Sequence, residues 1–190
     1  MTRRIRRAVD AFLALTFLFL AGAILILAAI AILIEDGRPM FFTQRRVGRF
    51  ERLFVMYKLR TMKKEFCGDS PSPTTAGDDR ITRVGRILRR TSIDEIPQLI
   101  NVLRGEMSLI GPRPEMGIIM KRYEPWQHLR HVISPGITCL WQITCRSTIP
   151  LDRPEATALD LDYIRNASPL LDGAILLRTV NSLVSAKGAY

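Results

Sequence analysis

From Ala11 to Ile34 the chain runs for 24 residues without a charge. Arg3, Arg4, Arg6 and Arg7 precede this run, and Arg38, Arg45, Arg46, Arg49 and Arg52 follow it. As a helix it would measure about 36 Å, against a bilayer core of about 30 Å. It is too long for a signal-peptide core, and no small-residue cleavage site follows it. A buried core helix rarely stays apolar on every face for six turns. The pattern therefore predicts a retained membrane helix. Lys and Arg in short flanks favour the cytoplasmic side, and here both flanks are basic. A simple span would place one cluster outside, whereas a helix that enters, breaks and returns keeps both inside. Gly22, near the middle, is the helix-weakening residue available for such a break. The residues leave both topologies open.

Beyond this segment the periodicity shortens. Met40 to Met62 reads as a β-hairpin, with Phe41 to Thr43 and Leu53 to Leu59 as strands about a Val47-Gly48-Arg49 turn. Cys67 to Asp79, rich in Gly, Ser, Pro, Thr and Asp, reads as a flexible loop. Ser92 to Gly105 reads as one helix, because Ser92 and Glu95 have capping-box spacing and Ile93, Ile96, Ile100 and Leu103 form a stripe. Pro97 weakens its first turn and Gly105 stops it. Gly111-Pro112-Arg113-Pro114 is a rigid turn. A helix is expected from Glu115 to about His131 with a kink at Pro125, then a turn at Ser134-Pro135-Gly136 and an extended segment from Ile137 to Thr144. Asp160 to Asn166 and Leu170 to Ser185 complete the pattern as helices, the last amphipathic enough to pack on the core or lie on a membrane interface.

Charge narrows the function. A formal net charge of +10 over 190 residues asks for an anionic partner: nucleic acid, acidic lipid or a phosphorylated substrate. The hairpin region is strongly basic, including Lys58 and Arg60, although basic residues beside a membrane segment often serve only to hold anionic lipid. Arg80, Arg83, Arg86, Arg89 and Arg90 form a second basic stretch. Three cysteines (Cys67, Cys139, Cys145) fit reduced thiols better than a disulfide framework. His128 and His131 lack the partners of a metal site.

Asp94-Glu95 is the acidic pair that stands out. It follows Arg89 and Arg90 at an expected helix start, where both the helix end and the arginines favour ionised carboxylates and attract phosphate. An ionised Asp is a competent nucleophile toward phosphorus. Two carboxylates facing a diphosphate repel it, so a divalent cation such as Mg²⁺ is expected. Arg89 and Arg113 suit bidentate binding of phosphoryl oxygens. Taken alone, the pair also suits a plain capping role.

Six ordered blocks resemble the bacterial monotopic phosphoglycosyl transferases, the sugar transferases of polysaccharide biosynthesis. The first is the basic stretch with Asp10, and the second is Phe42-Thr43-Gln44-Arg45-Arg46-Val47-Gly48. Tyr57 to Met62 and Arg89 to Leu99 follow. Asn101 to Pro114, and Pro135-Gly136-Ile137-Thr138 with Trp141-Gln142, complete the set. The resemblance implies transfer of a sugar-1-phosphate from a UDP-sugar to undecaprenyl or another polyprenyl phosphate. It implies Asp94 as the nucleophile of a covalent phosphosugar intermediate, with Glu95 assisting through metal binding or proton handling. Mg²⁺ would be held by Asp94 and Glu95. Arg89, Pro112, Arg113 and Pro114 would bind phosphates, and Lys58, Arg60, Gln142 and Arg146 are further candidates for substrate contact.

The family implies an α+β architecture: a re-entrant membrane helix over residues 1–36, and a mostly helical catalytic domain with a basic β-hairpin over residues 37–190. That domain would lie on the cytoplasmic face of the bacterial inner membrane, with UDP-sugar, undecaprenyl phosphate and membrane lipid as partners and no nucleic acid. The sequence departs from the family pattern at Gly22-Ala23, where a Ser-Pro pair is usual, and at Cys139 and Cys145, where glycine is usual. The sugar stays open among UDP-galactose, UDP-glucose and N-acetylated or modified UDP-sugars, as do the pathway and the oligomeric state. Two rivals remain: a membrane-anchored basic binding protein without catalysis, and a phosphohydrolase that uses the same aspartyl chemistry with water as acceptor.

Overall fold

The computed structural model describes residues 3–66, 78–145 and 149–185. Arg146 and most of the loop expected from Cys67 to Asp79 lie outside them. The architecture is α+β, and among the described residues there are two small sheets of two strands each. Helices α1 (Arg3–Leu20) and α2 (Gly22–Asp36) lead into β1 (Phe41–Val47) and β2 (Leu53–Leu59), which pair antiparallel with Phe42 opposite Lys58. Helices α3 (Arg83–Thr91) and α4 (Gln98–Arg104) precede strand β3 (Ser108–Ile110) and the short helix α5 (Gly117–Met120). Strand β4 (Gly136–Thr138) returns parallel to β3, and α6 (Leu140–Thr144), α7 (Pro154–Asn166) and α8 (Pro169–Ser185) close the domain.

The uncharged run is a bent pair rather than one rod. Helices α1 and α2 meet at 58° on either side of Ala21, next to Gly22. The backbone stays bonded through the bend: Ala21 donates to the Phe17 carbonyl and accepts from Leu25 N, both at 2.9 Å. No single helix among the described residues is long and apolar enough to cross a membrane, but this pair is, by length and composition. Phe12, Phe19 and Ile34 are 69%, 83% and 80% exposed, so the apolar surface faces away from the domain.

Both outer ends of the pair are fastened to the domain. Arg6 donates to the Ile110 carbonyl at 3.0 Å and to the Tyr163 hydroxyl, and forms an ion pair with Asp172 at 3.4 Å. Arg7 donates to the Leu103 carbonyl at the end of α4, at 2.6 Å. The Ser108 hydroxyl donates to Asp10 at 2.6 Å. At the far end, the Glu35 carboxylate accepts from the backbone N–H groups of Arg83 and Val84 (2.7 and 2.9 Å), satisfying two orphan donors in the first turn of α3. Buried Arg60 bonds the carbonyls of Asp36 and Gly37 and the Asp36 carboxylate, at 3.0, 2.9 and 2.9 Å. The main core lies between α1, β2, α4 and the last helices, with Ala14, Met56, Val102, Met107, Tyr163 and Ile175 nearly sealed from solvent.

Three expected elements differ. The helix from Ser92 to Gly105 is divided. Ser92 sits in the left-handed region (φ 54°), donates its N–H to the Arg89 carbonyl and ends α3. Ile93–Glu95 then form one 3₁₀ turn before α4 begins. Ser92 makes no side-chain cap, so its spacing to Glu95 is not a capping box. A capping box does form between Glu124 and Gln127, at the start of a 3₁₀ segment over Pro125–Val132. That segment and the four-residue α5 replace the kinked helix expected from Glu115 to His131. The stretch from Ile137 to Thr144 divides into β4 and α6, because Cys139 caps α6: its sulfur accepts from Gln142 N at 3.4 Å. Cys139 (φ −150°) and Cys145 (φ −133°) have backbone angles open to any residue, so neither position needs glycine.

Gly136 is different. A Cβ there would lie 2.1 Å from Gly111 N and 2.6 Å from Gly111 O. The parallel pairing of β3 and β4 brings these two backbones together, and the turn carrying Arg113 leaves from that crossing. Gly136 N donates to the Pro112 carbonyl at 2.9 Å and fixes the turn.

Candidate active site

The 3₁₀ turn at Ile93–Glu95 does what a continuous helix would not: it points two successive carboxylates inward, both 7% exposed. On one side is β2, which brings Lys58. On the other is the Gly111–Pro114 turn, which brings Arg113. Lys58 Nζ and Arg113 Nη2 bond the same oxygen, Glu95 Oε1, at 2.8 and 2.6 Å. Burial alone would raise the Glu95 pKa, but Arg113 and Lys58 hold it well below the usual carboxylate range. Glu95 is thus the fixed anion of the site.

Asp94 is its opposite. Among the described residues nothing hydrogen-bonds its carboxylate, although Lys58, Arg89 and Arg113 act on it through space. Burial raises its pKa to about 6, the neighbouring Glu95 charge adds to the rise, and the three cations oppose it. At neutral pH Asp94 is therefore an ionised carboxylate, and neither oxygen accepts a hydrogen bond among the described residues. This costs stability. Below pH 4 the carboxyl is protonated whether folded or unfolded, and the cost is absent. As pH rises through 4 to 6 the unfolded chain ionises first, and the cost grows to its full size above pH 6. Asp94→Asn is therefore expected to raise the melting temperature at pH 7.5 in EDTA-containing buffer and to have no effect near pH 4, as followed by thermal denaturation. An equal shift at both pH values would contradict this.

The cations have supports of their own. Arg113 Nη1 donates to Gln142 Oε1 at 3.0 Å, so Gln142 orients the guanidinium. Arg89 Nε donates to Thr61 Oγ1 at 2.8 Å. Pro112 and Pro114 are buried, and their carbonyls accept from Gly136 N (2.9 Å) and Arg46 Nη1 (3.2 Å). Burial and the neighbouring Arg113 charge lower the Arg46 pKa to about 10. Asn101, fully buried, accepts from Tyr57 N at 3.2 Å and donates to the Val55 carbonyl at 2.7 Å, locking β2 to α4.

The structure therefore brings together Asp94, Glu95, Lys58, Arg89, Arg113 and Gln142. It does not bring Arg60 there. β2 ends at Leu59, and Arg60, 2% exposed, turns its Nη2 to the Asp36 carboxylate and to the carbonyls of Asp36 and Gly37. Arg60 is thus a bracket for α2, and the substrate contact expected of it has no free surface to act from. Thr61 and Asn101, which sequence reasoning gave no role, fall inside two of the resemblance blocks. That was the only signal for either residue.

Among the described residues no three His, Cys, Asp or Glu side chains form a preformed metal cage. His128 is spent on Glu51 at 2.6 Å, and His131 is buried. The Asp94 carboxylate and Glu95 Oε2, which makes no hydrogen bond among the described residues, do suit Mg²⁺. That ion commonly takes one or two carboxylates and completes its shell with water and substrate phosphates.

The family model described as "Bacterial sugar transferase" matches residues 1–186. A UDP-glucose:undecaprenyl-phosphate glucose-1-phosphate transferase of Caulobacter vibrioides is 42% identical, over 97% of this chain and 72% of its own length. The exopolysaccharide production protein PSS of Rhizobium leguminosarum bv. phaseoli is 38% identical over 97% of this chain and 98% of its own. The undecaprenyl-phosphate galactose phosphotransferase of Salmonella typhimurium is 34% identical over the whole chain, which spans 42% of that longer protein. With a match over nearly its full length, the chain belongs to the bacterial sugar transferase family.

Proposed function

We propose that this protein transfers a sugar-1-phosphate from a UDP-sugar to undecaprenyl phosphate, through a covalent intermediate on Asp94. The observation that carries the reading is the contrast within the acidic pair. Glu95 is clamped by Lys58 and Arg113, while the adjacent Asp94 carboxylate is buried, faced by cations and without a hydrogen bond among the described residues. A carboxylate held only as a structural partner would have its hydrogen bonds filled.

An Asp94 oxygen attacks the phosphorus that carries the sugar. The bond from that phosphorus to the bridging anhydride oxygen breaks, and UMP leaves with the oxygen and the electron pair. The acceptor's phosphate oxygen then attacks the same phosphorus, the bond to Asp94 breaks, and the carboxylate returns. Arg89 and Arg113 bind the phosphoryl oxygens as their negative charge shifts during each attack. Glu95 keeps Lys58 and Arg113 in place. Mg²⁺, held by Asp94 and Glu95, would neutralise charge on the diphosphate when bound.

The bent pair α1–α2 is read as re-entrant, with residues 1–36 in the cytoplasmic face of the inner membrane and residues 37–190 as the catalytic domain. Three features support this: both flanks are basic, the outward surface is apolar, and both outer ends are tied to one domain. A membrane position brings Asp94 within reach of a lipid phosphate from the bilayer and a nucleotide sugar from solution.

Purified protein given Mg²⁺, undecaprenyl phosphate and a panel of UDP-sugars should release UMP and form a lipid-linked diphosphate sugar with at least one donor. Free sugar phosphate as the product would favour the phosphohydrolase, and no UMP with any donor would favour the binding protein. Arg113→Lys should lower kcat/KM on the order of 100-fold, because a single ammonium cannot serve Gln142, Glu95 and a phosphate together. Unchanged kinetics would remove Arg113 from the mechanism.

A further inference from the structure

A basic cavity lies apart from the Asp94 site and shares no residue with it. Its volume is about 750 Å³, within the range of ordinary small-molecule sites. It lies between the start of α1 and the loops after α4 and before β4. Five arginines line it (Arg3, Arg4, Arg6, Arg7 and Arg49), and Asp10 is its single acid. Asp10 is already bonded by Ser108. Arg6 and Arg7 are engaged with Asp172 and with the Leu103 carbonyl. Arg3 and Arg4 have no hydrogen-bond or ion-pair partner among the described residues. Arg49 donates its Nε to the Val132 carbonyl at 2.9 Å, and its guanidinium stacks over the Phe50 ring at 4.3 Å. That leaves its terminal nitrogens for a ligand. Arg3 and Arg49 lie near enough to repel: burial first, and then the Arg3 charge, lower the Arg49 pKa. Arg3, Arg4 and Arg49 line one cavity whose acid, Asp10, is already bonded, and a phosphate would pair with them.

The cavity's place at the start of α1 points to which phosphate. It opens at the first turn of the helix that enters the apolar segment at Ala11, and Phe50, which stacks on its Arg49, is 60% exposed. We propose that Arg3, Arg4 and Arg49 form a binding site for the phosphodiester head group of an anionic glycerophospholipid. The site is separate from the one that takes the reacting lipid phosphate. Exposed Phe50, stacked on Arg49, lies where the phospholipid's acyl chains would leave. The inference rests on the membrane-facing placement of α1, not on the transfer reaction.

The test uses full-length protein in a neutral maltoside detergent, titrated with dihexanoyl phosphatidylglycerol, dihexanoyl phosphatidylcholine, inorganic phosphate and geranyl phosphate. Binding is read by calorimetry. These probes are water-soluble, so the result does not depend on membrane insertion or on turnover. Phosphatidylglycerol is expected to saturate one site, with phosphatidylcholine and inorganic phosphate each at least tenfold weaker. The combined Arg3→Gln, Arg4→Gln, Arg49→Gln variant should lose at least tenfold in affinity. A control with Arg45→Gln, Arg52→Gln and Arg90→Gln removes equal charge elsewhere and should keep it. Equal losses in the two triple variants would mean non-specific attraction and overturn the proposal. So would inorganic phosphate binding as tightly as phosphatidylglycerol. Tighter geranyl phosphate binding would make the cavity an acceptor site and overturn the assignment. Should the first variant fail to fold, Arg3→Gln with Arg4→Gln, both on the exposed first turn of α1, must still weaken phosphatidylglycerol binding.

Discussion

Asp94→Asn should abolish UMP release, lowering it by at least about 1,000-fold, while making the protein more stable at neutral pH. The first effect follows from the chemistry, because an amide oxygen carries no full charge and cannot form the acyl phosphate. The second follows from burial. Asp94 is 7% exposed and its carboxylate has no hydrogen-bond donor among the described residues, so ionising it in the folded state is unfavourable despite Lys58, Arg89 and Arg113. The pair of outcomes discriminates where either alone would not. A residue kept for structure loses stability when changed, and a surface charge changes little of either. Glu95→Gln should behave differently. It removes the anion that holds Lys58 and Arg113 together at 2.8 and 2.6 Å, so activity and stability should fall together. UMP release over a Mg²⁺ series, read beside thermal denaturation of both variants, checks both statements. Full activity in Asp94→Asn would overturn the assignment of the nucleophile.

Gly136→Ala is the largest expected effect on the fold. The added methyl would sit 2.1 Å from Gly111 N and 2.6 Å from Gly111 O, and both of those atoms are backbone. No side-chain rotation relieves such a contact, so β3 and β4 must move apart. Overpacking of this kind costs about 1–3 kcal/mol where side chains can yield. Here the cost should lie at or above the upper end. The same shift disturbs the bond from Gly136 N to the Pro112 carbonyl, and with it the turn that aims Arg113 at Glu95. Denaturant unfolding should show the lower midpoint, and kcat/KM should fall even at temperatures where the variant is folded. A midpoint within error of the parent would show that the crossing is looser than described.

How much of this was legible in the sequence differs from element to element. The strand at Leu53–Leu59 and the last helix appear where local periodicity puts them, whereas the first strand runs on from Thr43 to Val47, the penultimate helix begins at Pro154 rather than Asp160, and the uncharged run is bent at Ala21. The turn at Ser92 did not follow. The apolar stripe from Ile93 to Leu103 continues in register across the 3₁₀ turn, so a helical period cannot reveal the break. What decides it is tertiary: Asp94 and Glu95 are drawn toward Lys58 and Arg113, while Pro97 supplies no N–H to carry a helix backward. The acidic pair was therefore found from its chemistry and its neighbours in the chain, but on the wrong kind of backbone.

Lys58 and Arg60 show the same limit from another side. Two residues apart, they should share one face of a strand, yet β2 ends between them and they serve different ends of the molecule. Thr61 and Asn101 were not legible as individuals. A lone Thr or Asn carries no signal of its own, and each acts through a partner distant in sequence: Arg89 for Thr61, and Val55 and Tyr57 for Asn101.

The central claim is that the sugar phosphate rests on Asp94 before the lipid acceptor takes it. Protein incubated with Mg²⁺ and its UDP-sugar, in the absence of any polyprenyl phosphate, can be quenched in acid and its intact mass measured beside the UMP released. The account predicts one UMP per protein in a burst, a mass gain of one sugar phosphate located on the peptide containing Asp94, and neither in Asp94→Asn. UMP release that requires the lipid acceptor, with no covalent adduct in the parent protein, would contradict it.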